Sequence, residues 1–231
     1  MVAAAIVASS RRFPTEEVPL HDADLLEIRL DAGEVTLEEI GNVVSPLPMI
    51  LTDRRPTGDV EVQDELKRLE RLQSATQLDA VWGVDIELEV FTNQVDERVT
   101  DAARRLRRVA SDNGTMVICS HHDWDGTLSR DELVDLAQMT TQYGDISKIA
   151  VMAETPTVLG RFVAATVEVT GMNQAITMMT TGPFALISRV VAMERGCSPV
   201  YGSLDSEPPT APGQPTVGQL RALLNALNSD G

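Results

Sequence analysis

Lysine is almost missing from this chain of 231 residues: Lys67 and Lys148 stand beside 17 arginines. Histidine is nearly as rare, with His21, His121 and His122, and aromatics make up 3% of the residues. The shortage of cations leaves a net charge of −16. No basic stripe is available to displace counterions from a phosphate backbone, which argues against a nucleic-acid partner. The acidic residues are spread over expected helix faces and loops, as on a solvated surface. With so little lysine, that surface fits adaptation to a salt-rich cytoplasm, where screening relieves self-repulsion, or an ordinary acidic exterior.

Cysteine is scarce too. Cys119 and Cys197 lie far apart and match no metal or redox spacing, which points to a reducing compartment. No apolar run approaches 18 residues, and the opening "MVAAAIVASS" lacks a basic segment and is too short for a span. The expectation is a soluble, cytoplasmic protein with no membrane partner. A doubly wound nucleotide-binding sheet would place a glycine-rich turn after its first strand, and "VASSRRFP" has none.

What the chain does have is alternation. Short apolar runs recur as "AAIVAS" (4–9), "LLEIRL" (25–30), "PMILTD" (48–53), "VWGVDIEL" (81–88), "TMVICSH" (115–121), "SKIAVM" (147–152), "AITMM" (175–179) and "SPVYG" (198–202). Helix-like stretches separate them. In one, Val95, Val99, Ala102, Leu106 and Val109 share a helical stripe. Another opens on a Ser129 cap and ends at Gly144. Eight strand–helix units in a chain of this length predict an α/β fold, a (β/α)₈ TIM barrel forming a single domain over residues 1–231.

Several strands carry charge at alternate positions. Glu27, Arg29 and Asp31 share one face of the second run, and Asp85, Glu87 and Glu89 share one face of the fourth. The outer face of a barrel strand packs on helices, so these charges are expected inside, where they must be paired or used. For Asp85 and Glu87 a structural ion network is the simpler expectation. His121 and His122 are adjacent, so only one enters the barrel, and no third ligand suits a metal. One as general acid–base and one as packing is the better account.

Lys148 alternates with Ala150 and Met152 towards the interior, while Ile149 and Val151 face the helices. Burial disfavours the ammonium and makes a neutral amine available to attack a carbonyl, giving a Schiff base. The structural alternative pairs it with an interior carboxylate such as Glu27 or Glu87.

Five segments, "EIRLD" (27–31), "SHHDW" (120–124), "SKIAVM" (147–152), "ISR" (187–189) and "APGQ" (211–214), follow the order and spacing of type I 3-dehydroquinate dehydratase. The chain resembles that family from its first strand to its last. The resemblance implies a (β/α)₈ barrel, here with the acidity of a halophilic archaeal protein. It also implies dehydration of 3-dehydroquinate to 3-dehydroshikimate in the shikimate pathway, without metal or organic cofactor, by a homodimer.

By the same resemblance Lys148 is the Schiff-base lysine and His122 the general base and acid. Glu27 and Arg29 hold the ring hydroxyls, Arg189 clamps the substrate carboxylate, and Arg54 stands at a further arginine position. Thr210 and Gln214 come from a closing loop, and Tyr201 and Met179 fall near positions that pack the ring. The chain also departs from the pattern. Gly58 occupies the position of a glutamate that assists the histidine, with Asp59 and Glu61 nearby as substitutes. Ala185 replaces a glycine, and Ala8 stands where a serine is expected, with Ser9 expected to face away. Two other readings remain: an aldolase-type lysine-imine barrel, and a barrel that binds a metabolite or partner without turnover.

Overall fold

The computed structural model describes residues 4–14, 20–56, 58–92, 95–172 and 175–229. Eight strands run in parallel: β1 (Ile6–Ser10), β2 (Leu25–Arg29), β3 (Met49–Thr52), β4 (Val81–Glu87), β5 (Met116–Asp123), β6 (Ile146–Met152), β7 (Ile176–Thr181) and β8 (Val200–Ser203). Their order in the sheet is β7-β6-β5-β4-β3-β2-β1-β8. The barrel is nearly closed, and the Ser198 N–H reaches the Ile176 carbonyl at 3.1 Å across the remaining gap.

The helices are α1 (Leu37–Asn42), α2 (Val62–Ala75), α3 (Glu97–Asp112), α4 (Arg130–Thr140), α5 (Pro156–Thr170), α6 (Ala185–Glu194) and α7 (Val217–Ser229). No helix stands among the described residues of the β1–β2 connection, so seven α-helices accompany the eight strands there. Ser129 caps α4 in a box with Glu132, as its position suggests. The helix stops at Thr140, short of Gly144, whose N–H donates to the Thr140 carbonyl at 3.0 Å.

Strand alternation sorts the side chains into two layers. Ile28, Leu51, Val84, Ile86 and Cys119 face outward onto Leu69, Leu72 and Leu106. Ile149 and Val151 meet Phe162 and Ala165 on the far side. Each fully buried Leu, Ile or Phe contributes about 1.5–3 kcal/mol, which fixes which face of each strand looks inward. Inside, Val7, Leu25, Ile50, Ile118, Ile146 and Tyr201 form an apolar plug. Above the plug, at the C-terminal ends of the strands, the interior turns polar.

Two expected strand faces are shorter than the alternation suggests. The chain tightens into a 3₁₀ turn at Leu30–Ala32 and again at Leu88–Phe91. Asp31 and Glu89 therefore leave the interior rows of Glu27 and Asp85. Asp31 instead forks onto Arg29 at 2.7 and 2.8 Å, and Glu89 accepts His121 Nδ1 at 2.6 Å. No described helix is long and apolar enough to cross a membrane.

Candidate active site

Lys148 projects inward from the middle of β6 and is 4% exposed. Its Nζ lies 2.7 Å from Asp85 Oδ2, 3.5 Å from Glu27 Oε1 and 3.9 Å from the centre of the Tyr201 ring. Two carboxylates and an aromatic face thus surround the amine. Asp85 is the nearest partner of the amine, Glu27 stands second as one of the two expected carboxylates, and Glu87 pairs with Arg54 and Arg68 instead.

Each acid is itself tied down. Burial would raise the Asp85 carboxyl, but Arg54 and Lys148 outweigh it and hold it far below the usual carboxylate range. Arg54 NH2 stands 3.1 Å from Asp85 Oδ1, and Ser120 Oγ donates to the same oxygen at 2.6 Å. Arg54 NH1 donates to Glu87 Oε1 at 3.0 Å and to Ser120 Oγ at 2.9 Å. For Glu27 too, burial acts upward, and Lys148 and Arg29 bring the carboxyl below its ordinary value.

Glu27 accepts from Thr52 Oγ1 at 2.7 Å and from Ser9 Oγ at 2.6 Å. This overturns the expectation that Ser9 faces away. In the register of β1 and β2, Ser9 pairs with Glu27, and Ala8 packs in the outer core instead. The hydroxyl expected at position 8 is supplied one residue later because β1 enters the barrel with Val7 and Ser9 inward.

His122 reaches the same space from the end of β5. Burial, Arg54 and Lys148 push its imidazole well below the ordinary histidine range, with Asp85 acting partly against them. The ring is therefore neutral near pH 7 and can accept a proton. His121, one residue earlier, pairs with Glu89 outside the interior row. Adjacent strand residues point to opposite sides, as expected.

Arg189 lies on the first turns of α6 and is 1% exposed. Its NH1 donates to the Thr180 carbonyl and, at 3.3 Å, to the Ala185 carbonyl, while Nε has no partner. No carboxylate pairs with it among the described residues, and burial pushes the guanidinium down to about 9. A buried cation without a counterion is a prepared anion site.

The roof is the segment after β8. Thr210 N and Oγ1 both donate to Gln214 Oε1 at 2.9 Å, so the two residues brace one another. The Gly182 N–H holds the Pro212 carbonyl at 2.8 Å, pulling this loop onto the end of β7. Glu207 anchors its other side by accepting Ser10 Oγ at 2.7 Å.

Lys148, His122, Glu27, Arg29, Arg54, Arg189, Thr210 and Gln214 all line one cavity of about 110 Å³. Tyr201 and Met179 line it as well. A larger hollow of about 790 Å³ around Trp82 has Asp79 as the one charged residue among the described residues of its lining. Ser9 and Trp124 join the lining without having been singled out for it, and Ser120 supports it through Asp85. Ser120 and Trp124 sat inside "SHHDW", and strand parity alone marks Ser120 as an inward neighbour of His122. Asp59 and Glu61, the suggested stand-ins for the missing glutamate, are exposed on the approach to α2. Neither lines the cavity. Among the described residues no three potential metal ligands cluster.

The model for type I 3-dehydroquinase matches residues 4–230 of the chain. A 3-dehydroquinate dehydratase from Haloarcula marismortui is 32% identical over 228 residues, covering 97% of this chain and 96% of that protein. One from Haloquadratum walsbyi is 30% identical over 231 residues, covering 96% and 91%. Both relatives come from halophilic archaea. The crystal structure of the type I 3-dehydroquinate dehydratase from Clostridium difficile, with covalently modified comenic acid, superposes with a TM-score of 0.79 at 21% identity. It covers 100% of this chain and 95% of that one, and supports the barrel fold. A match to almost every residue, with a polar site at the strand ends, leaves one conclusion: the chain belongs to the type I 3-dehydroquinase family.

Proposed function

We propose that the chain dehydrates 3-dehydroquinate to 3-dehydroshikimate through an imine at Lys148. The observation that carries this reading is a single buried amine beside a neutral imidazole and an unpaired arginine, all facing one cavity. The amine adds to the C3 ketone and water leaves, giving a protonated imine that draws electrons from C2. His122 takes the C2 proton, and the electrons return through the enamine to expel the C1 hydroxyl, which His122 protonates. Water then hydrolyses the imine and frees the lysine.

The amine attacks as the free base, and His122 handles the protons of imine formation in the site. Asp85 serves to hold Lys148 in place and to offset the charge of the iminium. Arg189 binds the substrate carboxylate, while Glu27, Arg29 and Arg54 meet the ring hydroxyls. Thr210 and Gln214 close over the substrate. No metal or organic cofactor takes part, the enzyme works in the cytoplasm, and two copies form a homodimer.

Borohydride added with 3-dehydroquinate should leave one reduced adduct per chain on the Lys148 peptide, and Lys148→Ala should remove both adduct and turnover. Turnover is followed by the absorbance of the conjugated enone acid. An adduct on Lys67, or turnover with no adduct, rules the mechanism out. An adduct without turnover would favour a barrel that retains binding only.

A further inference from the structure

The resemblance to the family implies a glutamate that assists the catalytic histidine, and this chain has Gly58 at that position. Among the described residues no carboxylate bonds to the His122 ring; its environment is set by burial and by the charges of Arg54, Lys148, Asp85 and His121. Glu61 merely precedes α2, and Asp59 is exposed beside it. The imidazole nevertheless needs a fixed direction, because a displacement of about 1 Å can cost a factor of 10² in rate.

One side chain does hold it. The Trp124 ring stacks on His122 with centroids 5.4 Å apart and an angle of 16° between the planes. Trp124 is itself anchored by the turn that follows β5. The Asp123 carboxylate accepts from the N–H groups of Asp125, Gly126 and Leu128 at 3.2, 2.9 and 3.1 Å. That fixes the backbone on which Trp124 stands. Trp124 is 47% exposed and yet lines the cavity.

We propose that Trp124 is the positioning residue for His122 in this chain, doing with a ring face what the resemblance assigns to a carboxylate. The inference rests on the dehydratase reading only for the role of His122. The two solutions differ in chemistry. A carboxylate would make the imidazole more basic, whereas an indole face orients it through offset stacking. It also meets the imidazolium formed during proton transfer with the electron-rich side of a ring.

Trp124→Leu and Trp124→Phe in the full chain test this. The leucine variant should lose about tenfold to a hundredfold in kcat, as expected for a misdirected base. Its KM should stay near wild type and borohydride should still trap Lys148. The phenylalanine variant should recover most of the loss. Unchanged kcat in Trp124→Leu, or a parallel loss of kcat, KM and trapping in both variants, overturns the proposal. A second readout needs no substrate. With Trp82→Phe, Trp124 is the sole tryptophan, and its fluorescence should fall as His122 takes up a proton, a change that His122→Ala removes. A flat titration also overturns the stack. If the wild type fails to turn over 3-dehydroquinate while the titration succeeds, the dehydratase reading has failed and the stack has not.

Discussion

Arg189 is the residue whose environment is least balanced. Its guanidinium is buried, has no acid beside it among the described residues, and is lowered to about 9 by that burial, which still leaves it charged at neutral pH. Replacing a buried ion pair by apolar side chains of similar size is often neutral or stabilising by about 1–4 kcal/mol, and a buried ion without a partner is costlier still. Arg189→Met is therefore expected to keep or raise the melting midpoint, while KM for 3-dehydroquinate rises roughly a hundredfold. Thermal unfolding and steady-state kinetics measure the two effects separately. A large fall in stability with KM unchanged would make Arg189 a structural residue. His122 supports a prediction with a definite sign. Burial and then Arg54 and Lys148 disfavour its charged form, so the acid limb of kcat/KM should lie below about 6.5, the ordinary histidine value. Arg54→Met removes one of those cations and frees Asp85 and Glu87 from it. Both changes ease protonation, so the limb should move to higher pH; a move downward in the pH–rate profile contradicts this electrostatic account.

At the scale of elements, the segment after β8 is where geometry is tightest. Gly213 has φ +69°, a region that favours glycine, and a Cβ there would meet the Gly182 carbonyl oxygen at 2.1 Å. Gly213→Val should therefore hold the loop off the cavity and withdraw Thr210 and Gln214 together. KM should rise at least tenfold, with imine trapping preserved at saturating substrate and the melting midpoint little changed, since few core contacts are lost. Wild-type KM in that variant would show that closure is not needed. The elements themselves were legible in the chain. Eight apolar runs became eight strands, and the parity of Lys148 and of Glu27 was correct, because burying one face repeats every two residues. What parity missed was where strands end. The turns at Leu30 and Leu88 took Asp31 and Glu89 out of rows they seemed to share, and Ser9 faced inward because β1 pairs with β2 in a register that no local pattern reveals.

For the whole molecule, the excess of acid dominates. At a net charge of −16 the folded state repels itself, and screening should relieve that strain. Raising potassium chloride from about 0.1 M to about 1 M shortens the Debye length from about 10 Å to about 3 Å. The unfolding midpoint, measured by circular dichroism, is expected to rise across that series; a flat or falling midpoint would leave an ordinary acidic surface. The buried network of Glu27, Asp85, Arg54 and Lys148 is shielded from solvent and should contribute little to the salt response.

Local chemistry along the chain was enough for the alternating architecture, for the inward lysine and for the set of residues that carry the family pattern. Those properties depend on the order of side chains and the two-residue repeat of a strand. Tertiary structure alone decided that Asp85 rather than Glu87 meets the lysine, that Ser9 supports Glu27, and that no acid among the described residues stands beside Arg189. Each of these is a distance between residues on different strands or turns, set by the stagger of the closing sheet and the path of its loops. No short stretch of sequence contains that information.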